Sequence, residues 1–186
     1  MAFGWGFGFN LWEQLRVKAI PVTNLSIVRA ALGTNVPSFG YFPNVFTFGN
    51  TDGTGKYYFG ASFDSVTVPQ GTTILSATLD FTILLVTGTD DVDTDIHAEK
   101  STSSALVSAA NLPESWVSTT ATYDFQNTEG TGVKSLDVKA IVQEIVNQGA
   151  WASGGRINIA FIAGGADTLN RRYSGLNAGP TLNISY

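Results

Sequence analysis

Cysteine is absent from this chain of 186 residues, and histidine occurs once, at His97. Without a thiol there is no disulfide scaffold, thiolate zinc site, iron–sulfur cluster or cysteine nucleophile. A single imidazole leaves any Ser–His–Asp hydrolase or multi-histidine metal centre to be built around His97 alone. Basic residues are scarce as well. Ten Lys and Arg stand against fifteen Asp and Glu, a formal net charge of −5, which is the wrong sign for a protein that displaces counterions from nucleic acid. No apolar run approaches the length of about eighteen residues that a membrane-crossing helix needs. What is present is 44 % apolar and 13 % charged residues, a balance that supports a packed core. Thr, Ser, Gly, Asn, Val and Ile favour strands and turns over helices.

The first ten residues, "MAFGWGFGFN", alternate Phe3, Trp5, Phe7 and Phe9 with Gly4, Gly6 and Gly8. Glycine at every second position disfavours helix, and the first basic residue is Arg16, so the segment does not read as a secretory signal. It reads as an extended arm over 1–20, ahead of a single domain over 21–186. Exposed together, the rings exceed the apolar surface a soluble monomer shows. Two outcomes bury them: the arm folds back on its own sandwich, or it adds to a partner as an extended strand, with Phe3, Trp5, Phe7, Phe9 and Trp12 as the docking candidates. The bare glycines allow close backbone approach in either case.

Beyond Pro21 the chain becomes short strand-like runs between turn signals. "VTNLSIVRAA" and "KYYFGASFDSVTVP" read as strands, and "SFGYFPNVFTFGNTDGTG" between them as a loop. In "ILSATLDFTILLV", Leu75, Ala77, Leu79, Phe81, Ile83 and Leu85 fall on one face of a strand, and Ser76, Thr78, Asp80 and Thr82 on the other. "DIHAEK" places Ile96 and Ala98 inward, His97 and Glu99 outward. Further strands are expected at 119–125, 156–163 and 181–186. One segment breaks the pattern: Val138, Ile141, Val142, Ile145 and Val146 form a helical stripe, with Asp137 as N-cap and Gly149 just past the end. The expected fold is all-β, an antiparallel β-sandwich (jelly roll) with one short α-helix near 138–148.

Candidate chemistry is sparse. Asp91, Asp93 and Asp95 have the D-x-D-x-D spacing that opens a calcium loop. Ile96 stands where that loop needs glycine, and no bidentate Glu follows in place. A calcium site and a solvated acidic turn are both readings of this stretch. His97 is expected at the surface beside Glu99. Asp124, Glu129, Glu144 and Asp167 offer no spacing that marks a glycosidase pair, and no catalytic residue is expected. Trp116, Tyr123 and Tyr173 are the candidates for stacking against a sugar, whereas Trp151 is expected to pack the helix end onto the sheet. Arg171 and Arg172 follow a Gly-rich turn that lacks the pattern of a phosphate loop.

The order of "KYYFGASFDSVTVPQGTTILSATLDFTI", "IHAEK", "TATYDF", "SLDVKAIVQEIVNQGAW", "INIAFIA" and "RRYSGLNAGPTLNISY" resembles the DNRLRE-type, disaggregatase-related jelly-roll domain, which is similar to a group of carbohydrate-binding modules. The likeness covers about two-thirds of the chain, residues 56 to 186. It departs from the family where Tyr173–Ser174–Gly175 replaces a Ser-Arg-Glu, and where Tyr123–Asp124–Phe125 replaces a strand tryptophan. The resemblance implies a binding or structural module without catalysis of its own. Domains of this look occur in secreted polysaccharide-associated proteins and in virion proteins of tailed phages. With no export signal read at the start, the virion setting is expected: a head decoration, spike, collar or tail-fibre component. Its partners would be capsid, portal or tail proteins through the arm, a homo-oligomer of its own chain, and a host glycan.

Overall fold

The computed structural model describes residues 17–21, 24–31, 38–40, 45–51, 55–87, 92–101, 105, 111, 113–127, 130–163, 171–175 and 180–186. The described strands are β1 (Val17–Pro21), β2 (Asn24–Ala31), β3 (Ser38–Gly40), β4 (Val45–Thr51), β5 (Gly55–Val66), β6 (Ser76–Thr87), β7 (Val92–Ala98), β8 (Tyr123–Asn127), β9 (Gly132–Asp137), β10 (Gly155–Ala163), β11 (Arg171–Gly175) and β12 (Thr181–Ser185). One helix, α1 (Lys139–Val146), lies between β9 and β10.

Eight of these strands pair first with last: β1 with β12, β5 with β10, β6 with β9, and β7 with β8, all antiparallel. That nesting is a long hairpin rolled into two layers, the jelly roll. Pairing of β12 with β6 and of β10 with β7 completes the layers. The first sheet runs β1-β12-β6-β9 and the second β5-β10-β7-β8. The remaining strands extend them. β2 adds to the free edge of β5 and carries β3. β4 and β11 pair with each other, β4 also with the start of β5 and β11 with the end of β6, so they join the two sheets at one end.

The core lies between the inner faces. Ile20, Ala77, Leu79, Phe81, Ile83, Leu136, Leu182 and Ile184 come from the first sheet; Ala61, Phe63, Ile96, Ala98, Phe125, Ile157, Ile159 and Phe161 come from the second. Phe81 spans the gap, edge-on to Phe125 (5.9 Å, 78°) and to Phe161 (5.5 Å, 88°), the geometry in which a positive ring edge meets a negative face.

The helix stripe buries as its spacing requires: Val138, Ile141, Val142, Ile145 and Val146 all enter the core. Its start differs from expectation. Val138 occupies the N-cap position without a side-chain bond, and Asp137 instead accepts the Lys139 N–H at 2.9 Å. Its polar side is fastened to the turn after β5. Gln143 accepts from the Ile74 N–H and donates to the Thr72 carbonyl, and the Gly71 N–H reaches the Val146 carbonyl. Gly71 sits at φ +69° in this turn, closed by Thr72 N–H to the Pro69 carbonyl, where a Cβ would be strained. Trp151 is buried beyond the helix, with its Nε1 donating to the Val68 carbonyl at 3.0 Å.

Four expectations are corrected. Residues 17–20, read as the end of an arm, form most of β1, and Ile20 belongs to the core. The loop read over 38–55 contains β3 and β4. The strand read over 119–125 begins only at Tyr123. Leu75 and Leu85 are exposed rather than inward. Leu75 precedes β6. Leu85 follows a bulge, because Tyr173 pairs with Leu85 and Ser174 with Ile83, leaving Leu84 as an extra residue on β6. A bulge reverses the alternation beyond it, so Val86 packs on the core instead.

Candidate functional site

The outer face of the second sheet is where polar chemistry collects. Outward positions across β5, β10 and β7 form rows: Ser62 opposite Asn158, which neighbours Glu99, and then Gly60 opposite Ala160, which is opposite His97. Alternation gives these residues to solvent, yet Ser62, Asn158 and Ala160 are wholly buried. The described residues of the stretch between β7 and β8 lie over them, with Ala105 bonded to Asn158 and Trp116 packed on Ala160. The stretch leaves β7 through the Glu99–Ser118 bridge and the Lys100 N–H to Val117 carbonyl bond, and returns through a 3₁₀ turn at Pro113–Ser115. Trp116 closes it, packing on Ala160 and Ile162.

Under this cover the bonds interlock. Asn158 Nδ2 donates to Glu99 Oε2 and to the Ala105 carbonyl, both at 2.7 Å. Asn111 Nδ2 donates to the same two oxygens at 3.3 and 3.1 Å, and its Oδ1 accepts from Trp116 Nε1 at 2.9 Å. Asn158 Oδ1 is enclosed without a partner. Enclosing a polar atom unpaired costs about 1–3 kcal/mol, which makes this amide the least settled member of the group.

His97 stands on β7, two residues before Glu99, which follows the strand's end. Expected at the surface, it is half-buried with Nε2 enclosed and unpartnered. Desolvation holds its pKa below the ordinary imidazole value, against the opposing pull of Asp95. On the helix, burial raises the Glu144 carboxyl, but the Ala121 and Thr120 N–H donors and Lys100 outweigh it and hold its pKa low. Glu144 thereby fastens α1 to the segment leading into β8, accepting those two N–H bonds at 2.8 and 3.0 Å and pairing with Lys100 at 3.0 Å.

The residues expected to act scatter. Trp116 is a packed residue at 9 % exposure, so its expected role as an open ring for sugar is corrected. Tyr123 packs against the core. Tyr173 lies on β11 opposite Thr47 and Leu85. Asp93 and Asp95 are in β7, opposite Gln126 and Asp124. A strand sets alternate residues roughly 6.6 Å apart in a line, whereas a calcium loop wraps its oxygens around the ion; Asp91, the first residue of that spacing, lies outside the described residues. Among the described residues no three His, Asp or Glu side chains converge as metal ligands. Asp91, Glu129, Asp167, Phe3, Trp5, Phe7, Phe9 and Trp12 lie outside the described residues. Arg171 and Arg172 are on β11. Sequence reasoning missed Asn158 and Asn111. The one available signal was an Asn inside the apolar run "INIAFIA", where alternation assigns it to water.

No family model matches the chain, and no curated protein matches it. Among the described residues, no helix is long and apolar enough to cross a membrane.

Proposed function

We propose that the protein is a non-enzymatic structural component of a tailed-phage virion. Its jelly-roll body is displayed on the particle as a head decoration or spike, collar or tail-fibre part. Its ring-and-glycine segment docks onto a capsid, portal or tail protein. The observation that carries this reading is the junction between the two parts. The segment bearing Phe3, Trp5, Phe7, Phe9 and Trp12 runs into β1, the outer strand of its sheet. An extended segment joined at a sheet edge can add to a neighbour as a strand, with alternate rings in pockets.

Deletion of residues 2–12 tests it. The expected variant melts with the full chain but is lost from assembled particles. Normal incorporation, or a collapse in melting temperature, contradicts the docking role. The alternative is a free-standing carbohydrate-binding module. It now rests on Tyr173, because Trp116 and Tyr123 are committed to packing. A glycan-array signal that disappears in Tyr173→Ala and survives the deletion would favour that alternative.

A further inference from the structure

We propose that His97 is an acid-sensitive wedge beside Trp116, and that protonating its imidazole frees the indole from the second sheet. The device lies in the body of the protein and does not rest on the virion reading. One row across the strands sets it up. Gly60, Ala160 and His97 stand side by side on β5, β10 and β7, turned away from the core that Ile96 and Ala98 enter. Gly60 and Ala160 carry almost no side chain, both are buried, and Trp116 packs on this floor at Ala160. His97 ends the row.

An outward strand position ordinarily meets water, yet His97 Nε2 is enclosed and unpartnered. A neutral imidazole tolerates this, because it carries one N–H for its two nitrogens. The cation carries an N–H on both and needs an acceptor for each. Charged groups surround it: Asp95 and Glu99 two residues to either side, Asp124 opposite Asp95 on β8, Glu114 in the Pro113–Ser115 turn, and the Lys100–Glu144 pair. β10 presents only Asn158, Ala160 and Ile162 on this face. Of the acids, Glu99 carries the consequence. Its Oε2 accepts from Asn158 and Asn111, and Asn111 Oδ1 in turn holds Trp116 Nε1 at 2.9 Å. A cation on His97 competes with the two amides for that carboxylate. With Asn111 displaced, the indole loses its acceptor and its place on Ala160. Desolvation holds the imidazole pKa low against the pull of Asp95, so the packed form favours the neutral ring. The hold on Trp116 is therefore complete at higher pH and is lost as pH falls through about 6.5, the value of the freed imidazole.

The test is indole hydrogen exchange in the full chain, followed by NMR. The Trp151 N–H, bonded to the Val68 carbonyl in the core, is the reference. Both indoles share one chemical exchange rate, so pH changes their ratio only through structure. Between pH 7.5 and 5 the protection of Trp116 is expected to fall about tenfold relative to Trp151. In His97→Gln the ratio is expected to stay flat. Because His97 is the sole histidine, its ring signals also report its titration in the unsubstituted chain, with an expected midpoint below about 6.5. A parent ratio that does not change with pH overturns the proposal. So does a fall retained in His97→Gln, or a ring midpoint at or above that of a free imidazole.

Discussion

The two sheets bury their inner faces alike and treat their outer faces in opposite ways. On the first sheet the outward residues Thr78, Asp80, Thr82 and Asn183 are partly exposed. Asp80 accepts from Ser135 and Asn183 on the strands to either side, and Leu84 and Val133 stand in water at 61 % and 75 % exposure. On the second sheet the centre is sealed, while Asp64, Arg156, His97 and Glu99 around it are partly exposed and Asp95 and Asp124 are exposed. Ser62, Asn158 and Ala160 see no solvent. One sheet is thus a wall with water behind it, and the other is the middle layer between the core and a covering segment. The difference locates the polar network: the buried Asn158 amide must find its partners in half-buried Glu99 and the Ala105 carbonyl, whereas the first sheet can leave its hydroxyls to solvent.

Substitutions can break this comparison, beginning with the layer both sheets share. Phe81→Ala removes the ring that touches Phe125 and Phe161 and is expected to cost about 3–5 kcal/mol in urea unfolding; a loss below 1 kcal/mol would mean the sheets do not meet there. Gly155→Ala acts at the start of β10, where a Cβ would lie 2.9 Å from the Ala152 carbonyl and 3.1 Å from the Trp151 ring. About 1–3 kcal/mol should be lost, read by the same unfolding curves. Thr94→Val works in the other direction. Thr94 is buried with an unpartnered hydroxyl, so the near-isosteric valine should gain about 1 kcal/mol; no gain would show that the hydroxyl has a partner in solution.

The smallest effect is a pH dependence on the covered sheet. The folded-state pKa of His97 lies below its unfolded value, so between the two the unfolded chain binds more protons. Its neutral form is accommodated at higher pH, and stability falls as pH drops through the unfolded pKa of about 6.5. Melting temperatures followed from pH 7.5 to 5 should fall more steeply for the natural chain than for His97→Gln. Parallel curves would place the imidazole in water.

The same contrast explains what the residues disclosed. Alternation in β6 and in β12 gave inner faces correctly at Ala77, Leu79, Phe81, Ile83, Leu182 and Ile184, because one side meets the core and the other meets water. It failed at Leu85, where an extra residue reverses the phase and leaves no mark in composition. β9 escaped notice because its apolar residues Val133 and Leu136 lie three apart and face opposite ways. β4 lies in glycine- and aromatic-rich text that also describes a loop. The helix stripe was legible since five apolar residues at helical spacing admit no strand. The network of Glu99, Asn111 and Asn158 was not. Alternation tells which residues turn away from the core, and it is silent on whether an irregular segment lies across them. Trp116 was misplaced for that reason.

The comparison stands or falls on two truncations measured side by side. Urea unfolding of Trp116→Ala and Leu84→Ala removes one large apolar side chain from the outer face of each sheet. The expected result is a loss of about 3 kcal/mol or more for Trp116, buried against Ala160, and a change within about 0.5 kcal/mol for Leu84. Equal and small losses would mean that nothing is held over the second sheet, and the cover would have to be abandoned.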